Sequence, residues 1–218
     1  RAFLKIQDGC DMACAFCIIP KVRGRSVSRS AEELEAEVAR LVRAGHVEIV
    51  LCGIHIGHWG LDRGSRLAEL VRRLAVLRVE DDEGRALPFR VRLSSIEATE
   101  VDDDLLAVMA DRPDRVAPHL HMPMQSGSDA VLARMNRWYD RATYLAACDR
   151  IRRRLDRPAF TADVLVGFPG EGEQEFAETL AAVGEAGFAR LHVFPFSPRP
   201  GTEAESMHRS EEHTSVQS

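Results

Sequence analysis

The chain has 218 residues, of which 45% are hydrophobic, and its formal net charge is −5 at pH 7. A single domain of this length can bury roughly 70% of its unfolded surface. The sequence has no apolar run of about eighteen residues and no charged-then-apolar opening, so we expect neither a membrane span nor a signal peptide. The acidic balance argues against a domain that grips nucleic acid by itself, which usually shows a basic excess.

The hydrophobic pattern predicts six strand-then-helix units in chain order. The predicted strands cover residues 3–7, 47–52, 90–95, 119–124, 160–166 and 190–196. A first helix begins after Ser30, which forms a capping box with Glu33, and it ends at Gly45. The later helices are predicted after a Ser65 cap, from Asp102, around Ala130, and over 142–155 and 173–186.

Regular alternation of strands and helices implies an α/β fold with a parallel sheet and helices outside it. Six units close only part of an eight-unit barrel, and functional groups collect where strands of such barrels end. Polar and small residues do follow the predicted strands: Gly53, Ser94, Ser95, Gln125, Ser126, Gly167 and Ser197.

The run DGCDMACAFCIIP places Cys10, Cys14 and Cys17 in a C-x3-C-x2-C spacing. Three thiolates can hold three irons of a [4Fe–4S] cube, whereas most cluster proteins supply four cysteines. The fourth iron is then open to a substrate or cofactor, which favours catalysis. A zinc knot, or a disulfide with a spare thiol, is the alternative. Zinc needs a fourth Cys or His at knuckle spacing, and the next ones lie about thirty residues on or further: His46, Cys52 and His55.

The other cysteines and histidines carry less information. The chain has five cysteines, three of them clustered, which indicates a reducing cytoplasm over a disulfide framework. We predict that Cys52 is a small buried residue and that Cys148 lies in the core. Metal binding by His55 and His58 together is the less favoured interpretation of this histidine-rich loop.

The extended string FLKIQDGCDMACAFCIIPKVRGRSVSRS resembles the methylthiotransferase branch of the radical S-adenosylmethionine (radical SAM) superfamily. Further similar segments follow in order and together cover about residues 1–207: LCGIHIGHWG, RVRLSSIE, HLHMPMQSGSDAVLARMNR, DVLVGFPGE and HVFPFSPRPGT. The combination of LCGIHIG with HVFPFSPRPGT is similar to bacterial enzymes that methylthiolate N6-threonylcarbamoyladenosine beside the tRNA anticodon.

This resemblance implies a partial (β/α)6 radical SAM barrel with a [4Fe–4S] cluster on the three cysteines and with SAM as cofactor. It also implies a set of SAM-binding residues, which are Phe16, Gly53, Ser95, Gln125, Ser126, Asp163, Leu165 and Gly167. Several have a plain structural alternative: Gly53 can be a strand-end turn, and Gln125 and Ser126 can begin a turn before a helix capped at Ser128. We expect a hydrogen-bonded role for Asp163 and a structural one for Glu97.

Two groups of basic residues are candidates for tRNA phosphates, where each contact adds salt-dependent affinity. Lys21, Arg23, Arg25 and Arg29 follow the cysteine loop directly. The first three are our candidates for binding the substrate or the SAM carboxylate. The second group follows the fourth predicted strand: Arg134, Arg137 and Arg141.

We expect residues 1–207 to form the catalytic domain and residues 208–218 to be a polar tail, disordered or foreign. Members of the family also carry an N-terminal domain with a second [4Fe–4S] cluster and a C-terminal RNA-binding β-barrel. We expect both to be absent here, which would explain the acidic charge and leave this piece incomplete as an enzyme. The resemblance further implies a tRNA substrate, a flavodoxin- or ferredoxin-like electron donor, a cytoplasmic location and a monomer.

Two alternatives stay open. The first is methylthiolation of another target, either isopentenyl-type adenosine in tRNA or an aspartate of a ribosomal protein. The ribosomal-protein branch usually has an acidic stretch where this chain has SPRPGT, which argues against that target. The second is a non-catalytic iron–sulfur or zinc-binding module.

Overall fold

A computed structural model of the chain describes residues 1–207, and the predicted polar tail lies outside these described residues. The strands are β1 (Ala2–Lys5), β2 (Gln7–Asp8), β3 (Val27–Ser28), β4 (Glu48–Cys52), β5 (Arg90–Leu93), β6 (His119–His121), β7 (Ala159–Val166) and β8 (Arg190–Pro195). The α-helices are α1 (Ile19–Arg23), α2 (Ala31–Arg43), α3 (Leu67–Val76), α4 (Asp103–Asp111), α5 (Asp129–Arg134), α6 (Arg141–Arg154) and α7 (Glu173–Ala186). Short 3₁₀ turns cover Ile56–His58, Leu61–Arg63, Ala98–Glu100 and Glu203–Ser206.

Six of the strands run parallel in the order β1-β4-β5 and β6-β7-β8. Parallel bridges from Val91 to Val116 and from Ser95 to His121 join the two groups of strands. Within residues 1–207 no pairing joins β1 to β8, so the barrel is open on one side. The predicted partial (β/α)6 barrel is confirmed.

Strand β7 shows how the barrel separates its two faces. Phe160, Ala162 and Val164 are buried and belong to the main hydrophobic core, whereas Thr161 and Asp163 are only half-buried. The core fills the space between the strands and the helices, and burial of one such large side chain contributes about 1.5–3 kcal/mol. Apolar residues therefore hold the helices, and polar residues are left on the inner face of the barrel.

The predicted helix starts are correct at α2 and α4 and wrong at α3. Ser30 accepts a hydrogen bond from Glu33 N in the predicted capping box, and Asp102 caps α4. Ser65 does not cap α3, because its hydroxyl bonds the Glu69 carboxylate at 2.8 Å. Cys148 is fully buried as predicted, whereas Cys52 is only half-buried.

The first and fourth predicted strands end earlier than predicted, each at the point where its regular ladder is interrupted. The first strand stops at Lys5, and Gln7 then pairs with Ser28 in a short antiparallel ladder that positions the cysteine loop. Strand β6 stops at His121, and the backbone N–H of Gln125 bonds the Asp163 carbonyl from a left-handed conformation with φ of 64°.

Glu48, at the start of β4, gives a testable pH dependence. Burial disfavours its charge, but hydrogen bonds from Arg92 and Arg90 outweigh burial and lower the pKa of Glu48 to about 2. The folded state therefore prefers ionised Glu48, and this stabilisation is present above pH 4.5 and is lost as the pH falls toward 2. We expect Glu48→Gln to lower the free energy of unfolding at neutral pH by about 2–3 kcal/mol.

Urea unfolding between pH 6 and pH 2.5 checks this expectation. The variant should lose part of the acid dependence of the parent chain over that range. Equal acid dependence in both proteins would show that the Glu48 ion pairs do not carry it.

Candidate functional site

The cysteine loop runs from β2 to α1, and contacts to the following segment fix its first residues. Gly9 has a φ of +73°, and a Cβ there would lie 1.9 Å from the Arg25 carbonyl oxygen, so only glycine fits. The backbone N–H of Cys10 then donates to the Gly24 carbonyl at 3.0 Å. The first cysteine is thus placed by backbone geometry.

The middle of the loop is held from the other side of the site, after α5. Ala15 N donates to the Met135 carbonyl at 2.9 Å, and the Asn136 side-chain amide donates to the Ala13 carbonyl at 2.7 Å. Cys17 N closes a tight turn on the Cys14 carbonyl at 3.0 Å. These bonds hold the loop between two distant parts of the sequence.

All three cysteine thiols line one cavity of about 200 Å³ at the carboxyl ends of the strands. The same cavity is lined by three of the residues predicted to bind SAM: Phe16, Ser95 and Gln125. An adjoining cavity of about 520 Å³ is lined by Phe16, Gln125, Asp163 and Leu165. The structure therefore brings five of the eight predicted SAM residues next to the cysteines.

The remaining three predicted SAM residues line neither cavity. Ser126 is fully buried, and its hydroxyl lies 3.2 Å from the Thr179 hydroxyl. Gly167 N donates to the Glu171 carboxylate, and Gly53 directly follows β4. Their backbone groups stay near the strand ends.

Of the three basic candidates that follow the cysteine loop, two lie beside the cysteines and one does not. Lys21 and Arg25 line a third cavity of about 490 Å³ that also contains the three cysteines. Arg23 points elsewhere and lies 3.9 Å from the Asp8 carboxylate. Lys21 and Arg25 are therefore the better-placed candidates for binding an anion.

Asp163 has the hydrogen-bonded role expected from its sequence position. Its carboxylate lies 3.3 Å from His121 Nε2 and 3.2 Å from His192 Nδ1. Burial raises the pKa of Asp163, but the hydrogen bonds from these two histidines outweigh burial and lower it. Asp163 thus presents an anionic hydrogen-bond acceptor on the inner face of the barrel.

A buried polar group that the sequence does not predict surrounds Cys10. His55 Nδ1 lies 3.4 Å from Cys10 Sγ, and His55 Nε2 lies 2.6 Å from a Glu100 carboxylate oxygen. Gln7 accepts a hydrogen bond from His55 N at 2.8 Å and donates to the Gly9 carbonyl at 2.6 Å. Gln7 therefore couples the histidine loop to the cysteine loop.

The charges in this group support one another. Burial raises the pKa of Glu100, but hydrogen bonds from His55 and His58 outweigh burial and lower it to about 2. Burial lowers the pKa of His55, because it disfavours the charged imidazole, but the contacts with Cys10 and Glu100 outweigh burial and raise this pKa to about 10. The three side chains His55, His58 and Glu100 also lie close enough together to form a metal-binding set.

A second polar group surrounds Cys14 and corrects one of our expectations. Arg137 is only 3% exposed, with Nη2 lying 2.5 Å from Glu97 and Nη1 lying 3.2 Å from Cys14 Sγ. It therefore does not face tRNA phosphates. Burial raises the pKa of Glu97, and the charge of Arg137 opposes this effect. Arg134 and Arg141 are also engaged, with the Gly170 carbonyl and with Glu185.

This donor set fits an iron–sulfur cluster with one open iron. The three thiols belong to one loop, are partly exposed, and share a cavity with room beside them. Among residues 1–207, the other two cysteines lie on β4 and α6, outside the residues that line this cavity. Thiolate ligands of this kind suit iron–sulfur clusters.

Comparison with known families agrees with this geometry. The model of the radical SAM superfamily matches residues 4–183. The chain belongs to the radical SAM superfamily. Membership implies a [4Fe–4S] cluster and SAM, for which the cysteines and the adjoining cavities provide the space.

Two similar relatives are tRNA-modifying enzymes. The chain is 46% identical over 95% of its length to threonylcarbamoyladenosine tRNA methylthiotransferase MtaB of Bacillus subtilis, covering 44% of that protein. It is 45% identical over 93% of its length to a tRNA-2-methylthio-N(6)-dimethylallyladenosine synthase of Anaeromyxobacter, covering 42% of that enzyme. The chain thus spans less than half the length of these relatives.

Solved structures support the fold. The radical SAM methyltransferase TsrM of Kitasatospora setae matches 94% of this chain with a TM-score of 0.76 at 14% identity, over 38% of its own chain. The methylornithine synthase PylB matches 96% of this chain with a TM-score of 0.62, over 57% of its own chain. Within residues 1–207, no helix has the length and apolar character needed to cross a membrane.

Proposed function

We propose that this chain is the radical SAM catalytic part of a tRNA methylthiotransferase that modifies C2 of N6-threonylcarbamoyladenosine. The observation that carries the proposal is the placement of three cysteine thiols around a cavity shared with polar strand-end residues. The identity of 46% to the Bacillus subtilis enzyme supports the substrate, as do the segments LCGIHIG and HVFPFSPRPGT.

The residues around the cavity have separate roles in this proposal. Cys10, Cys14 and Cys17 would hold a [4Fe–4S] cluster with one open iron, and when bound this cluster would supply the one-electron chemistry of SAM cleavage. The Gln125 amide and the Ser95 hydroxyl fix the orientation of a polar ligand in a mostly apolar pocket.

Two further residues complete the cavity wall. Phe16 packs edge-on against Phe168 with ring centroids 6.4 Å apart, and it excludes water from the wall shared by the two cavities. Asp163 accepts hydrogen bonds from ligand donors on the inner face, because its two histidine partners keep it anionic.

The substrate and partners of the whole protein are part of the proposal. Lys21 and Arg25 offer positive charge to a tRNA phosphate or to the SAM carboxylate beside the cysteines. The net charge of −5 is unusual for a domain that binds nucleic acid by itself, so we infer that parts of the protein beyond this chain supply most of the tRNA affinity. A flavodoxin- or ferredoxin-like donor supplies the electron in the cytoplasm, and the protein acts as a monomer.

Dimethylallyladenosine in tRNA is the second candidate substrate, because the identity of 45% to an enzyme of that name is nearly as high. Nucleoside mass spectrometry of tRNA from cells that lack the full-length gene separates the two. Loss of the 2-methylthio form of N6-threonylcarbamoyladenosine supports the proposal. Loss of only the dimethylallyl-type product would reassign the substrate.

SAM cleavage tests the catalytic part of the proposal. We expect the dithionite-reduced, cluster-loaded protein to release 5′-deoxyadenosine slowly without RNA, as measured by chromatography. Gln125→Ala should lower the rate about tenfold, since one polar contact contributes about 1–1.5 kcal/mol. Ser126→Ala is the matched control. The Ser126 side chain faces Thr179, so this variant should keep the parent rate. A loaded protein with no product above a triple-cysteine variant would contradict the assignment.

A further inference from the structure

His55 is placed to donate a hydrogen bond to the sulfur of Cys10. Its Nδ1 lies 3.4 Å from Cys10 Sγ and its Nε2 lies 2.6 Å from Glu100, and the two polar side chains are 7% and 17% exposed. A cysteine that binds iron is a thiolate, and a carboxylate only accepts hydrogen bonds. Since both neighbours are acceptors, both ring nitrogens of His55 donate.

The surroundings of His55 are built to keep this geometry. His58 stacks on the imidazole with ring centroids 3.9 Å apart, and its Nε2 lies 3.2 Å from the same Glu100 oxygen. Gly57 allows Glu100 to approach, because a Cβ at that position would lie 1.8 Å from Glu100 Oε2. Gln7 holds the backbone of His55 at 2.8 Å.

Arg137 repeats the arrangement at Cys14. Its guanidinium lies 3.2 Å from Cys14 Sγ and 2.5 Å from Glu97, and it packs over the Trp138 ring at 4.2 Å. The guanidinium is always charged and only donates. Two of the three cluster cysteines therefore have a buried cationic donor that is held by its own glutamate.

We propose that the His55–Glu100 and Arg137–Glu97 pairs set the reduction potential of the cluster by donating hydrogen bonds to the sulfurs of Cys10 and Cys14. This inference rests on the cluster of the proposed function. Reduction adds one electron and so one negative charge to the cluster, and N–H donors to its sulfurs stabilise the reduced form more than the oxidised form. His55 and Arg137 raise the potential, and the two glutamates act as positioning residues.

Potentiometric titration followed by electron paramagnetic resonance tests this on the reconstituted protein. His55→Phe keeps an aromatic ring but removes the donor. It should lower the equilibrium constant for reduction at least tenfold, which is a shift of about 59 mV to more negative potential for one electron. Glu100→Gln should shift the potential in the same direction by less. The double variant Arg137→Met/Glu97→Gln should also shift it to a more negative value.

His58→Phe is the matched control, because His58 bonds Glu100 and stacks on His55 but has no hydrogen bond with a cysteine sulfur among residues 1–207. It should shift the potential by clearly less than His55→Phe does, because the donor to Cys10 stays in place. A parent-like potential in His55→Phe, or an equal shift in His58→Phe, would overturn the inference. Iron content is measured first, so that a parent chain without a cluster counts against the proposed function and not against the tuning. If His55→Phe itself loses iron, Glu100→Gln is measured in its place, and a parent-like potential in Glu100→Gln would overturn the inference.

Discussion

Replacement of any one of Cys10, Cys14 and Cys17 by alanine should abolish cluster binding. We expect the parent chain to take up about four irons after anaerobic reconstitution. Each variant should fall to background, because the site has only three thiols and the other two cysteines lie on β4 and α6. Iron and sulfide analysis, together with the visible absorption of the cluster, measures this loss.

The matched controls are Cys52→Ala and Cys148→Ala, which remove a thiol outside the site and should keep the iron. A different metal would contradict the prediction. His55 lies 3.4 Å from Cys10, and three cysteines with one histidine are a donor set that zinc uses. If the reconstituted parent held stoichiometric zinc and no iron, and His55→Ala lost that zinc, the site would be a zinc centre and not an iron–sulfur cluster.

The sequence predicts the fold well wherever a local signal and burial agree. Helix α7 covers Glu173–Ala186, as predicted, and α2 begins at the capping box of Ser30 and Glu33. The prediction fails where a competing hydrogen bond or an irregular backbone decides. The Ser65 hydroxyl bonds Glu69, four residues along the chain, and does not cap the helix. Strand β6 stops at His121, and the ladder to β7 becomes irregular where Met124 N and the left-handed Gln125 N both bond the Asp163 carbonyl.

In the candidate site, the sequence predicts the local pattern but not the contacts between distant residues. The cysteine spacing is a local pattern, so the sequence identifies these ligands without the fold. The contact between His55 and Glu100 joins residues 45 positions apart, and the contact between Arg137 and Cys14 joins residues 123 positions apart. No periodicity encodes such pairs. The adjacent residues Gln125 and Ser126 point to different surroundings because Gln125 is left-handed, which a strand pattern does not predict.

Loss of the buried ion pair between Arg137 and Glu97 should strongly lower the stability of the fold. The two side chains are 3% and 13% exposed and lie 2.5 Å apart. Arg137→Met should lower the free energy of unfolding by about 3–5 kcal/mol, because it leaves the Glu97 carboxylate buried without its cation. The variant also removes a hydrogen bond to the Tyr139 hydroxyl at 3.1 Å. Urea unfolding under anaerobic, reducing conditions, followed by circular dichroism, measures the loss.

Two comparisons assign that loss to the buried charge. Adding Glu97→Gln to Arg137→Met should recover part of the stability, since a neutral amide costs less to bury than an unpaired carboxylate. Arg141→Met is the matched surface control: Arg141 lies 2.5 Å from Glu185, but that glutamate is 55% exposed. It should cost less than about 1 kcal/mol, because exposed ion pairs contribute little. Equal losses in Arg137→Met and Arg141→Met would show that burial of the Arg137–Glu97 pair does not determine its effect on stability.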